Sequence, residues 1–263
     1  MLGGWVGKAL RPRPMIVVRR RSPDWTRIDQ AYWDDLITFE RSIGRPEGSV
    51  RTLIETWNEA MRTSFFQVRQ EMKRITNANL KRLQGAKVID VAEYRKGIDP
   101  EALYVFTDDD DWFAPNLAAE LRTVETDRHG IVWRSLKYSG TLDRRKLDGY
   151  AYTNNYAVFG RALAAHPAWM TPVEEHFNLM VLVDAGKVRL ETVEMSLAIT
   201  NKHPCSTVTL EKAAAQWGPG PEDFRRWIGA AKADYAMTPD LLVAGTRWAR
   251  PEIEAVRKVI TAL

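Results

Sequence analysis

The stretch YVFTDDDDWFAP, residues Tyr104 to Pro115, sets four consecutive carboxylates at the end of an apolar, β-like run. Asp108 to Asp111 repel one another, and their place between Phe106 and Trp112 gains little unless a cation joins them. Hard divalent ions such as Mg2+ and Mn2+ take carboxylate oxygens, often one or two from the protein with substrate phosphates completing the shell. The stretch reads as strand, acidic turn, helix: Ala102 to Thr107 forms the strand and Pro115 opens a helix over Asn116 to Thr126.

Outward from this unit, strands and helices alternate. Upstream, Met15 to Val18 is a short strand running into Arg19, Arg20 and Arg21. Arg27 to Ser42 has helical spacing at Ile28, Tyr32, Leu36 and Phe39, and Gly44, Pro46 and Gly48 break it. Ser49 caps a long helix reaching Gln84, with Leu53, Trp57, Ala60 and Phe65 on one side, and Gly85 stops it. Lys87 to Val91 is a further strand. Downstream, Ile131 to Tyr138 is a strand, Asp143 to Gly149 a charged loop and Ala157 to Ala165 a short helix. Pro172 opens a helix to Asp184 that Gly186 caps, and Lys187 to Val193 and Ser196 to Thr200 are strands. Pro219 and Pro221 set off a helical C-terminal extension over residues 215–263. The expectation is an α/β fold, one domain over residues 15–263 with a mixed or mainly parallel sheet flanked by helices.

Bulk properties narrow the classes. The chain has 263 residues, 45% hydrophobic and 27% charged, ordinary values for a globular protein. A net charge of +4 suits an anionic substrate but falls far short of a nucleic-acid footprint. Cys205 is the only cysteine, so no intrachain disulfide forms and a reducing, cytoplasmic setting is expected. No apolar run approaches the ~18 residues of a membrane span, and the N-terminus lacks a secretory signal's apolar core. Residues 1–14 read as a flexible basic lead-in, with peripheral contact at the inner face of a membrane as the alternative. The ten tryptophans fill cores, though their flat faces also suit sugar rings.

Other metal and phosphate motifs fail. Counted from Asp108, an EF-hand loop would need Gly where Phe113 stands and Glu where Ala119 stands. Gly7-Lys8 is followed by Ala9, with Leu2 at the first glycine position, so no Walker A loop is present. The lead-in LGGWVGKALRPRP has a faint likeness to the glycine-rich loop of sugar nucleotidylyltransferases, one residue out of spacing and without a preceding strand.

The arrangement Asp108, Asp109, Asp110, Asp111, Trp112, Phe113, Ala114, Pro115 resembles the metal motif of GT-A glycosyltransferases, family 2-like, which carry a strand and then Asp-x-Asp-Asp, two bulky residues, one more and Pro. A second likeness lies 65 residues after Asp110, where Glu174-Glu175 opens a helix that ends in Asp184-Ala185-Gly186 before a strand. Glu175 takes a position that is commonly Asp. Acids in a helix's first turn also complement its dipole, which is the structural reading of the same pair. Asn201-Lys202-His203-Pro204 is a third, weaker match, where some such enzymes place a histidine ligand. The strand into Arg19 to Arg21 is loosely similar to rhamnosyltransferase-like bacterial proteins, and the usual opening with Pro-x-Tyr or Pro-x-Asn is missing.

The resemblance implies a GT-A-like, Rossmann-type mixed sheet and an inverting, metal-dependent sugar transfer. It implies Mn2+ or Mg2+ on Asp108 and Asp110, with His203 as a further ligand. Arg19 or Arg21, with Asp109 and Asp111, would meet the donor, a UDP-, GDP- or dTDP-linked sugar. Trp112, Asn154, Asn155 and Glu174 would meet a saccharide acceptor, and Glu175 would be the general base. Surface polysaccharide synthesis in bacteria is the setting it suggests. The rival expectations are a sugar nucleotidyltransferase of similar fold and a carbohydrate-binding protein without turnover.

Overall fold

A computed structural model describes residues 13–20, 49–144, 150–152, 154–174, 176–218, 220–241 and 245–263. The lead-in up to residue 12, the expected helix over Arg27 to Ser42, Arg21 and Glu175 lie outside the described residues.

Strands are numbered along the chain. One mixed sheet of six strands runs in the order β2 (Ala86–Asp90), β1 (Met15–Arg19), β3 (Leu103–Thr107), β8 (Tyr156–Phe159), β5 (Gly130–Trp133), β9 (Leu190–Val193). All are parallel except β8, which is antiparallel to both β3 and β5. A second sheet orders β4 (Asp111–Phe113), β10 (Ala198–Asn201), β6 (Leu136–Tyr138) and β7 (Leu142–Arg144).

The helices are α1 (Ser49–Glu55), α2 (Glu59–Leu80), α3 (Val91–Tyr94), α4 (Leu117–Arg122), α5 (Gly160–Ala165), α6 (Met170–Glu174), α7 (His176–Asp184), α8 (Thr207–Trp217), α9 (Pro221–Ala236) and α10 (Arg250–Thr261). Helices cover both faces of the large sheet, and this is why β1 and β3 read as continuous apolar runs. Along them, Met15, Val17, Leu103 and Val105 face α4 through Leu117 and Leu121. Val18, Tyr104 and Phe106 face the other way, onto Tyr94, Leu163 and Leu179. The small sheet buries Trp112, Leu136, Tyr138 and Ile199 against Trp57, Phe65, Val68 and Met72, and Ile253, Val256 and Ile260 of α10 join the same cluster. The C-terminal helices are thus part of a core rather than an extension.

Several boundaries differ from the sequence expectation for identifiable reasons. The helix expected from Ser49 to Gln84 breaks after Glu55, because Asn58 leaves helical geometry and caps α2, its Oδ1 accepting Met61 N–H at 3.0 Å. Ile131 to Tyr138 divides into β5 and β6, which belong to different sheets. The short helix expected over Ala157 to Ala165 begins only at Gly160, and Tyr156–Phe159 is the central strand β8. The apolar run YAVF is buried on both sides there, a context that overrides helix propensity.

Gly160 makes that strand-to-helix turn fit. A Cβ at this position would lie 2.0 Å from the Asp99 carbonyl oxygen, which is backbone and cannot swing away. Gly160→Ala is expected to lose about 3 kcal/mol of stability, read as a lowered urea midpoint with unchanged slope. An unchanged midpoint would show that the 97–102 segment yields.

Candidate functional site

The C-terminal ends of three parallel strands coincide. Arg19, at the end of β1, pairs in register with Asp90 of β2 and with Thr107 of β3. From β1 the chain goes to β2 on one side, and from β2 it crosses to β3 on the other. The gap above β1 and β3 is therefore a topological switch point, where open α/β sheets bind ligands. A cleft of about 440 Å3 lies there. Arg19 and Arg20 from β1, Lys73, Thr76 and Asn77 from α2, Asp90 to Ala92 and Arg95 around α3, and Asp108 and Asp109 after β3 line it.

Arg20 is the best-anchored cation of the cleft, at 9% side-chain exposure. Its backbone N–H donates to the Thr107 carbonyl at 2.9 Å. Nε donates to the Glu174 carbonyl, Nη2 to the Tyr156 hydroxyl, and Nη1 to Asp108 Oδ1 at 3.4 Å. The guanidinium lies over the Phe106 and Tyr156 rings at 5.6 and 5.9 Å. Strand alternation explains this choice: Arg20 continues the face of Val18 and Phe106, and Arg19 projects to the other face. Arg19 instead reaches Asn77 Oδ1 at 3.1 Å. Burial pushes the Tyr156 hydroxyl up to about 12, with Arg20 opposing, so it remains a donor, here to the Val173 carbonyl at 2.7 Å.

The four acids separate by direction. Asp108 and Asp109 border the cleft. Asp110 faces α2, as does Trp112 two residues on, and meets Arg69. Arg69 is 4% exposed. Its Nη1 lies 3.3 Å from Asp110 Oδ2, and its Nη2 lies 3.0 and 3.3 Å from the two oxygens of Asp109. His203 Nε2 lies 3.3 Å from the same Asp110 oxygen. Nε2 also lies 3.1 Å from Arg69 Nη1, and Nδ1 accepts the Cys205 N–H at 3.2 Å, so both ring nitrogens face N–H donors. His203 and Arg69 together thus surround the same Asp110 oxygen, in the interior behind the cleft wall.

Electrostatics follow from this geometry. Burial raises the Asp108 carboxyl above its ordinary value, and the Arg20 charge only partly offsets it. Burial acts on Asp110 in the same sense, but the His203 hydrogen bond and the Arg69 charge outweigh it and hold Asp110 well below the usual carboxylate range. Burial, with Arg69 alongside, keeps His203 below the ordinary histidine value against the pull of Asp110. Asp111, fully buried, begins β4 and pairs in register with Thr200.

Sequence expectations for the sugar side need correction. Trp112 is 0% exposed and lies 5.9 Å from the Tyr138 ring inside the core, so it offers no face to a ligand. Asn155 is consumed by the chain: its Nδ2 donates to the carbonyls of Trp133 and Tyr150, and its Oδ1 accepts Tyr152 N–H. Asn154 is buried, and its Oδ1 accepts from Thr200 Oγ1 at 3.2 Å. Glu174 is buried behind Arg95, and both its oxygens accept from that cleft-lining arginine, at 3.1 and 2.8 Å. Glu175 and Arg21 fall outside the described residues.

Asp108 and Asp109 are the acids of the turn that stand at the cleft wall. Among the described residues no three His, Cys, Asp or Glu side chains form a cage for a metal. Two carboxylates completed by a ligand's phosphates is an ordinary way to hold Mg2+ or Mn2+. The residues fit that mode, with Asp109 rather than Asp110 beside Asp108.

Sequence reading missed Arg20, Arg69, Lys73, Thr76 and Arg95. For three of these the signal was present: Arg69, Lys73, Thr76 and Asn77 follow i, i+4, i+7, i+8 and share one face of α2. No helix among the described residues is long and apolar enough to cross a membrane. No protein-family model matches this chain, and no curated protein matches it either, so the site's own geometry carries the functional reading.

Proposed function

We propose that the protein is a GT-A-like glycosyltransferase that moves a sugar from a nucleoside-diphosphate donor to a saccharide hydroxyl, with inversion. The observation that carries this reading is the switch-point cleft, with carboxylates after β3 facing cations from β1, α2 and α3. That combination suits a ligand with phosphates at one end and hydroxyls at the other. The reading places the protein in the cytoplasm, in surface polysaccharide synthesis.

In this reading Arg20 and Lys73 hold phosphate oxygens, and the Tyr156 and Phe106 rings keep Arg20 in place. Asp108 and Asp109 would hold a Mn2+ or Mg2+ ion, whose chemistry is to neutralise charge on a departing diphosphate. Arg69 and His203 fix Asp110 and so the path of the acid turn. Glu175, at the junction of α6 and α7, would take the proton from the acceptor hydroxyl as it attacks. Its neighbour Glu174 ties this junction to both Arg20 and Arg95.

The test is release of nucleoside diphosphate from UDP-, GDP- and dTDP-sugars with Mn2+ and a panel of saccharide acceptors. One donor is expected to turn over, and Glu175→Gln to lower its rate at least about 100-fold, within the usual contribution of a general base. Normal turnover by Glu175→Gln removes that residue from the chemistry. Pyrophosphate released from a nucleoside triphosphate and a sugar phosphate would instead identify a nucleotidyltransferase.

A further inference from the structure

The acid turn carries its own counter-cation. Arg69 reaches Asp109 through two contacts and Asp110 through a third, all from within the protein. One guanidinium thus offsets part of the charge on two acids before any ligand arrives. Meanwhile Arg19 meets only the neutral Asn77 amide among the described residues. Beside it, Thr76 is 2% exposed and lines the cleft, and its hydroxyl has no hydrogen-bond partner among the described residues. A buried hydroxyl that borders a cleft is open to a hydrogen bond with a ligand there. Lys73 lies one turn before Thr76 on the same face of α2 and borders the same cleft.

We infer that this face of α2, with Lys73 and Thr76 as its contacts and Arg19 and Arg20 opposite, binds a diphosphate group directly, without a bridging divalent ion. The inference deepens the transferase reading, since it assigns the group that anchors the donor and separates anchoring from the metal's role in transfer. Lys73 supplies a point charge, Thr76 a hydroxyl donor and the arginines planar pairs of N–H groups, a set that matches adjacent tetrahedral oxyanions. A single carboxylate would leave half of these donors unmet.

The experiment is calorimetric titration of the full chain with inorganic pyrophosphate in EDTA. Binding is expected without metal. Lys73→Ala should weaken it about tenfold or more, in line with loss of a hydrogen bond to a charged group. Thr76→Val, nearly isosteric, should weaken it several-fold, and Lys258→Ala on the far helix α10 should leave it unchanged. Orthophosphate should bind more weakly than pyrophosphate. Binding that appears only with Mn2+, or that ignores Lys73→Ala and Thr76→Val, overturns the inference and leaves the transferase reading standing. Conversely, pyrophosphate binding in EDTA with no sugar transfer from any donor supports the inference and removes the transferase.

Discussion

Replacing Arg69 with Met is expected to destabilise the protein by about 3–5 kcal/mol at neutral pH in metal-free buffer, the range for stripping one partner from a buried ion pair. The side chain is 4% exposed and answers two carboxylates, so no solvent takes over its task. Methionine keeps much of the volume, which isolates the charge from the cavity. The pH dependence carries a definite sign. In the native protein Asp110 sits below its unfolded value, so its contribution is present above the unfolded carboxylate pKa and is lost as pH falls through the folded one. Without Arg69, one of the influences that oppose burial is gone and the folded value rises toward the ordinary one. The deficit of the variant should therefore be widest at neutral pH and should narrow below about pH 4, where unfolded carboxylates take up protons. Urea unfolding of both proteins across pH 3.5 to 8 measures this. A constant gap across that range would mean that Arg69 matters for packing and not for charge.

Trp112→Ala should cost about 4 kcal/mol, the usual outcome of emptying a large buried aromatic site. Trp112 is fully enclosed, beside Tyr138 and in one cluster with Ile199 and Phe65. Trp112→Phe should recover most of that loss, because the space is apolar and the indole N–H has no partner among the described residues. A residue that offered its ring to a sugar would behave in the opposite way, with stability changed by less than about 0.5 kcal/mol and acceptor binding lost. Thermal unfolding and acceptor KM of the two variants separate these roles.

These two residues show where the sequence was legible. The strands β1, β2 and β3 were readable because each is a short apolar run bounded by polar residues, and the acid turn was readable because four carboxylates after a strand are unusual. The orientation within the turn was not. It depends on β4, a three-residue strand whose pairing with β10 brings together residues far apart in sequence. That pairing turns Trp112 inward and Asp110 toward α2. Arg20 was passed over for its neighbours because a run of three arginines gives no phase until the strand before it has one. Arg69 and Lys73 stood on a helix whose apolar side had already explained it. A second, polar face on a long helix is as informative as the first, since it must meet either solvent or a site.

Asn79 of α2 joins two distant parts of the chain. Its Oδ1 accepts Phe113 N–H at 2.8 Å and its Nδ2 donates to the Phe113 carbonyl at 3.0 Å, while the same Nδ2 lies 3.2 Å from Glu252 on α10. Arg82 completes the bridge to Glu252. The backbone just beyond the acids and the last helix are therefore linked through one amide, in addition to their apolar packing. Local opening of that helix would withdraw Glu252, unseat Asn79 and free the segment that gives Asp110 its direction. Fraying of the last helix would thereby be felt at the backbone beside the acid turn, through a polar link that runs parallel to the apolar packing.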